Sequence, residues 1–294
     1  MSSLEGIKTK IKTTKELLAI VRTMKALAAS SIRRYQIAYE SSKEYLETIS
    51  MGFQIVIKNN HQHFIKTDEE KKIGAIIFGS DLGMCGKFND QISSFSKNFM
   101  NEELKISIDN QKLITIGEHI TNNFLDRQIE KKLLFPISLD GIEKILSSVL
   151  ITVEDWMLNQ NIHQIILFYN KPHGESSYVS SINKILPLNV KWLEDLGKTL
   201  WKSNNLPTFF VDSKELFSDL IKEYIYISLH QAFVESLLSE NISRLSAMRY
   251  AENNIQEKIE ELNLSYNQLW QSSITEEILE IVEGYESIEQ NKEI

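Results

Sequence analysis

The chain has 294 residues, 42% of them hydrophobic and 24% charged, with a formal net charge of −8. That is material for one large or two modest folded domains, and it excludes a disordered chain. The acidic balance argues against a protein whose whole surface collects phosphates, and the single cysteine, Cys85, excludes an internal disulfide or a cysteine-based zinc site, which fits a reducing, cytoplasmic setting.

The start, Met1 to Gly6, lacks the apolar core of a signal peptide, and no uninterrupted apolar run of about 18 residues occurs, so the chain is expected not to span a membrane by itself. All four prolines, Pro136, Pro172, Pro187 and Pro207, lie in the middle, which leaves both ends free of the strongest helix breaker. At the N-terminal end a heptad register places Ile7, Thr14, Val21, Ala28, Tyr35, Ser42, Ile49 and Val56 on one seam position. The other holds Ile11, Leu18, Lys25, Ile32, Tyr39, Leu46 and Phe53, so that only Thr14, Lys25 and Ser42 interrupt the stripe. A helix from about Leu4 to Ile57 would run roughly 80 Å.

The middle changes period. Ile73 to Phe78 is a short apolar run ending in a glycine-rich turn, as a buried parallel strand does. A helix follows from about Asn89. Further strands are expected at Lys112 to Ile116, Leu133 to Ile137 and Gln164 to Tyr169, with a helix from Gly141 to Met157 and a hairpin or edge strand somewhere in Tyr178 to Phe210. The alternation predicts a Rossmann-like α/β domain with a mostly parallel sheet.

The C-terminal end returns to heptads. Leu220, Ile227, Val234, Asn241, Met248, Ile255, Leu262 and Leu269 fall on one seam, and Tyr224, Gln231, Leu238, Leu245, Glu252, Ile259, Tyr266 and Ser273 on the other. A helix from about Asp212 to Glu283 would run roughly 110 Å, with Gly284 as its stop and a polar tail from Tyr285 to Ile294. From Met1 to Lys43 there are nine Lys or Arg against three Asp or Glu; from Asp212 to Ile294 the count is six against seventeen, so the ends attract. An antiparallel coiled coil of the two terminal helices around a central α/β domain is the expected fold, with domains at 1–58, 70–208 and 209–294.

Few residues invite chemistry. The loop Gly79 to Asn89 joins a strand to a helix, where phosphates often bind, but it fits neither the P-loop spacing nor the G-x-G-x-x-G fingerprint. Tight-turn and helix-packing roles for its glycines are favoured. Cys85 has no neighbouring histidine to act as base and reads as a small buried side chain. His61 and His63 stand at i and i+2 without evident further ligands, and His230 is placed on a polar flank of its helix. No catalytic residue, cofactor site or metal site is expected.

Three segments carry a family resemblance. Val21 to Arg34 joins a Met-Lys-Ala sequence, a small-residue patch and paired basic residues. Ser80-Asp81-x-Gly83-x-Cys85-Gly86-x-x-Asn89 is the second. Tyr266-Asn267 followed by Gln271-x-x-Ile274-Thr275-x-Glu277-x-x-Glu280-Ile281-Val282-x-Gly284 is the third. In order and spacing over nearly the whole chain they resemble the gamma subunit of F-type ATP synthases. Departures lie at Leu82, where the family often has arginine, at Trp270, where it often has a basic residue, and in the acidic end with Glu286, Glu289 and Glu293. The wording of the first two segments is most similar to the alternate, second-operon bacterial branch, some members of which are thought to move sodium.

The resemblance implies a non-catalytic rotor: a coiled coil turning inside a ring of three alpha and three beta subunits, with the α/β domain joined to the epsilon subunit and the c-ring. It implies peripheral attachment to the cytoplasmic face of a bacterial inner membrane, touching the membrane only through the complex, and no nucleic acid. It also implies ring contacts at Met24, Arg33, Arg34, Gln271, Thr275 and Glu277, with Arg22, Lys25, Arg33 and Arg34 facing acidic loops of the beta subunits. Asp81, Gly83, Cys85, Gly86 and Asn89 would form a structural loop. The rival readings are a coiled-coil adaptor that binds DNA through its basic first helix, and an α/β protein that binds a nucleotide at the loop.

Overall fold

The computed structural model describes residues 4–59, 72–136, 141–174, 176–201, 205 and 207–290, apart from the side chains of residues 59 and 285–290. Two compact units emerge, one of residues up to Leu27 with those from Leu245 onward, the other Ala28–Arg244. His61 and His63 lie outside the described residues. Among the described residues, no helix is long and apolar enough to cross a membrane and no cluster of three or more His, Cys, Asp or Glu suits a metal ion.

Helix α1 spans Leu4–Asn59 and helix α6 spans Ser213–Gln290. In the first unit Ile7 shares a groove with Leu262 and Leu269, while Lys25 pairs with Glu252, so the two helices run antiparallel. The same order holds in the second unit, where Ser42 meets His230, Tyr45 meets Glu223 and Gly52 lies against Leu220. The heptad reading survives closely. Ile7, Val21, Ala28, Tyr35, Ser42, Ile49 and Val56 are all buried, whereas Thr14 is half-buried and turns its hydroxyl onto Lys10 O.

The expected stop at Gly284 is not there. The helix runs on to Gln290, and Gly284 does not take the positive φ of a glycine cap. A glycine inside a helix costs about 1 kcal/mol relative to alanine, which the flanking Ile, Val and Glu residues tolerate when no proline follows.

The second unit holds the α/β body. Strands β1 (Ile73–Phe78), β2 (Gln111–Ile116), β3 (Ile129–Leu133), β4 (Gln164–His173) and β5 (Ser177–Leu186) form one sheet in the order β3-β2-β1-β4-β5. Only the β4–β5 pair is antiparallel. Helices α2 (Phe88–Asn98), α3 (Glu118–Asn122), α4 (Ile142–Asn159) and α5 (Val190–Lys198) join the sheet, with a π-helical turn at Phe99–Glu103 and a 3-10 turn at Ile108–Asn110. The ambiguous stretch after Tyr178 thus supplies the edge strand β5 and then α5, which Asn189 caps by accepting from Trp192 N at 3.3 Å.

The third strand was misplaced by the sequence pattern. The apolar run from Leu133 contains Pro136, which cannot donate to a ladder, while the true strand Ile-Glu-Lys-Lys-Leu is an edge strand whose charges keep it from reading as apolar.

Side chains of β1 alternate between two cores. Ile73, Ala75 and Ile77 pack with Ile92 of α2, Ile120 of α3 and Phe168, whereas Ile76 and Phe78 pack with α4 and with Phe233 and Leu237 of α6. Trp156 of α4 is fully buried in the second core, and its Nε1 donates to Glu130 Oε2 at 3.0 Å. Replacing it, Trp156→Ala, is expected to lower stability by about 3–5 kcal/mol, with Trp156→Phe costing less, as read by denaturant unfolding of the purified chain.

Candidate functional site: the strand-end loop and the paired helices

The Gly79–Asn89 loop leaves β1 at the point where strand order reverses, with β2 on one side and β4 on the other, the place where open α/β sheets hold ligands. Here the chain's own helix fills the crevice. Phe233 of α6 packs edge-on against Phe78 with ring centroids 4.8 Å apart. Ten residues on, Ser243 Oγ donates to Cys85 O at 2.6 Å and Arg244 Nη2 donates to Leu82 O at 3.2 Å.

The loop holds itself together with a few directed bonds. Ser80 N donates to Asn89 Oδ1 at 3.0 Å, and Asn89 Nδ2 returns to Ser80 Oγ at 2.9 Å. Asp81 accepts from Glu118 N and from Phe135 N, each at 2.7 Å, so one carboxylate ties the loops after β2 and β3. A Cβ on Gly79 would stand 2.4 Å from Ile120 Cβ, and Gly86 adopts φ +60, so both positions need glycine. Gly83 has ordinary room beside His119. Cys85 is buried, and burial pushes its thiol up, away from the reactive thiolate, against a smaller opposite pull from Ser80.

Polar residues that interrupt the helix seams find partners. In the first unit Lys25 and Arg22 both bind Glu252, the arginine Nε at 2.9 Å, and the Lys25 and Arg22 bonds hold that carboxyl below its usual range. Both cations are thus engaged within the chain, because Glu252 occupies the seam opposite them. In the second unit Gln231 Nε2 donates to Glu235 Oε1 at 2.9 Å and Asn241 Nδ2 to Leu237 O at 2.8 Å. Glu240 and Arg244 form a buried ion pair at 2.5 Å, side chains 7% and 8% exposed, and burial pushes the Glu240 carboxyl up against the pull of the arginine.

His230 is not on a polar flank. It is half-buried between the helices, with Nδ1 3.0 Å from Ser42 Oγ and the Tyr226 ring stacked beside it. Its place one residue before the seam position Gln231 gave no hint of this.

An ATP synthase family profile matches residues 3–288. An ATP synthase gamma chain from Pasteurella multocida is 32% identical over 299 residues, covering 98% of this chain and 100% of the relative. The chain belongs to the ATP synthase gamma family. A gamma chain from Campylobacter jejuni is 29% identical over 301 residues, covering 98% of this chain and 100% of its own length. A chain in a Euglena gracilis mitochondrial ATP synthase structure shares the fold, with TM-score 0.65 at 15% identity over 99% of this chain and 96% of that one.

Of the six residues taken as gamma-subunit ring contacts, Met24, Gln271, Thr275 and Glu277 belong to the first unit and Arg33 and Arg34 to the second. Met24 is half-buried, while Arg33 and Arg34 are exposed, Arg34 Nη2 resting on Ser31 Oγ at 3.2 Å. Gln271 and Thr275 are exposed one helical turn apart, with Thr275 Oγ1 on Gln271 O at 2.9 Å. Glu277 is also exposed but points about 200° around the helix from Thr275. Sequence reasoning missed Glu240, Ser243 and Arg244. Their signal was the cluster of polar residues Ser239, Glu240, Asn241, Ser243 and Arg244 in a helix that elsewhere keeps an apolar seam.

Burial depresses the His230 pKa below the ordinary histidine value, against a smaller opposing pull from Glu143. As pH falls through about 6.5 the unfolded chain binds a proton that the folded one resists, so this residue's stabilising contribution, present at higher pH, is lost on acidification. Thermal midpoints measured from about pH 7.5 to 5.5 should therefore fall more steeply for the wild type than for His230→Gln.

Proposed function

We propose that this chain is the central rotor of an F-type ATP synthase, a non-catalytic subunit that carries torque between a membrane-embedded c-ring and a catalytic ring of three alpha and three beta subunits. The observation that carries the reading is the match to the gamma family from residue 3 to residue 288. It is supported by the fold likeness to the Euglena chain, which stands in an assembly of OSCP, F1 and c-ring.

In this reading the paired helices are the part that turns within the ring, and the segments 1–58, 70–208 and 209–294 act as two shaft helices and a foot. A rotor must resist bending while gripping its sleeve weakly. A tight apolar seam inside and a low-relief outer face at Ala26, Ala29 and Ser30 suit both demands. The foot joins the epsilon subunit and the c-ring, and the complex holds the chain peripherally at the cytoplasmic face of a bacterial inner membrane. The wording of Val21 to Arg34 and of Gly79 to Asp90 supports the alternate, second-operon bacterial branch, some members of which are thought to move sodium.

The nucleotide-binding rival loses ground to the helix α6 side chains seated in the strand-end crevice. The DNA-binding rival loses ground to Arg22 and Lys25, whose charge is met by Glu252.

Co-expression with the cognate alpha and beta subunits tests the reading. One copy of this chain per three alpha and three beta subunits, with ATPase activity in the assembly and none in the isolated chain, is the expected result. A chain that stays alone, or hydrolyses ATP unaided, overturns it. For the contact residues, Gln271→Ala with Thr275→Ala is expected to cut ATP synthesis in membrane vesicles by about tenfold, the loss of roughly 1.4 kcal/mol of contact, while assembly persists. Unchanged synthesis removes those two residues from the contact set.

A further inference from the structure

Where α6 crosses the strand ends its contacts are directional as well as apolar. Ser243 and Arg244 donate to the carbonyls of Cys85 and Leu82, and Arg244 is steadied by Glu240 one turn earlier. Those carbonyls belong to a loop that is tied to every strand of the sheet. It follows β1 directly, and its Asp81 accepts from the backbone after β2 and after β3. At its far end Phe88 O accepts from Asn170 Nδ2 on β4 at 3.1 Å, and Ser180 Oγ on β5 donates to Asn170 Oδ1 at 2.9 Å.

Apolar packing alone sets the rotation of a helix about its own axis weakly, since turning it exchanges one set of non-directional contacts for another. Hydrogen bonds weaken steeply with angle, and buried groups that lose a partner find no water to replace it. Turning α6 by one residue, about 100°, would strand the Ser243 hydroxyl, the Arg244 guanidinium and two loop carbonyls together. We infer that Ser243 and Arg244 are positioning residues that lock the rotational setting of α6 on the α/β sheet, so that a turning force on the sheet enters the helix without slip. The inference rests on the rotor function proposed above.

The test uses the assembled alpha–beta–gamma complex, fixed through its catalytic ring, with a bead on the α/β body. Wild type, Ser243→Ala, Ser243→Thr and Arg244→Gln are compared for ATP-driven rotation and for the angular fluctuation of the stalled rotor. Ser243→Ala and Arg244→Gln should widen the variance of that fluctuation by about twofold, while Ser243→Thr, which keeps the hydroxyl, matches wild type. Wild-type fluctuation in both of the first two variants overturns the inference, as does equal widening in Ser243→Ala and Ser243→Thr, which would make packing and not the hydroxyl responsible. A wild-type complex that does not rotate sinks the rotor reading instead, which keeps the two failures apart.

Discussion

The burial of a seven-residue repeat at both ends of the chain is the constraint on which everything else depends. Neither terminal helix can hide its apolar stripe alone, and the only other stripe of matching period lies at the opposite end of the sequence. Pairing them returns α6 alongside α1 and presses the stretch from Ile225 to Arg244 against the sheet as well. A helix covered on two sides loses its solvent face, which is why that stretch is buried almost all round and why its polar residues need partners inside the protein.

For Ser243 and Arg244 those partners come from the turns at the strand ends, while Gln231 and Asn241 bond within the helix and His230 meets Ser42 of α1. An open α/β sheet leaves backbone groups and a crevice at its topological switch point, and a ligand usually supplies what they lack. In this chain Ser243, Arg244 and Phe233 supply it. The glycine-rich loop has therefore kept the position of a phosphate-binding loop while its surroundings have become a docking seat for the chain's own helix. Fold position and chemistry have parted company, as they do wherever a function is grafted onto a common architecture.

Much of this was legible in the sequence, for identifiable reasons. Period-seven and period-two patterns come from the geometry of helix and strand, so the terminal helices, β1, β2, β4 and the buried seam residues could be read directly. Edge strand β3 could not, since Glu130 and Lys131, which bond helix α4, and Lys132 erase the apolar signal. Gly284 carried a stop signal that only its neighbours could veto. His230 gave no signal because its partner Ser42 lies far away in sequence, and the Glu240–Arg244 pair showed only as polar residues in a stretch whose burial against the sheet leaves no periodic trace. For the loop, the motif Asp81 to Asn89 was visible at once, but the reason for Asp81 lay in two backbone N–H groups far away in sequence.

The two seam residues that looked like defects, Lys25 and Glu252, have a consequence of their own. They face one another, and Glu252 is satisfied only while the helices keep their present axial alignment. A slide of one heptad would preserve the apolar stripe almost everywhere, yet it would part the carboxylate of Glu252 from both of its cations. The pair therefore acts as a key in a keyway, so that the two helices can be twisted or pushed as one body without creeping lengthwise past each other.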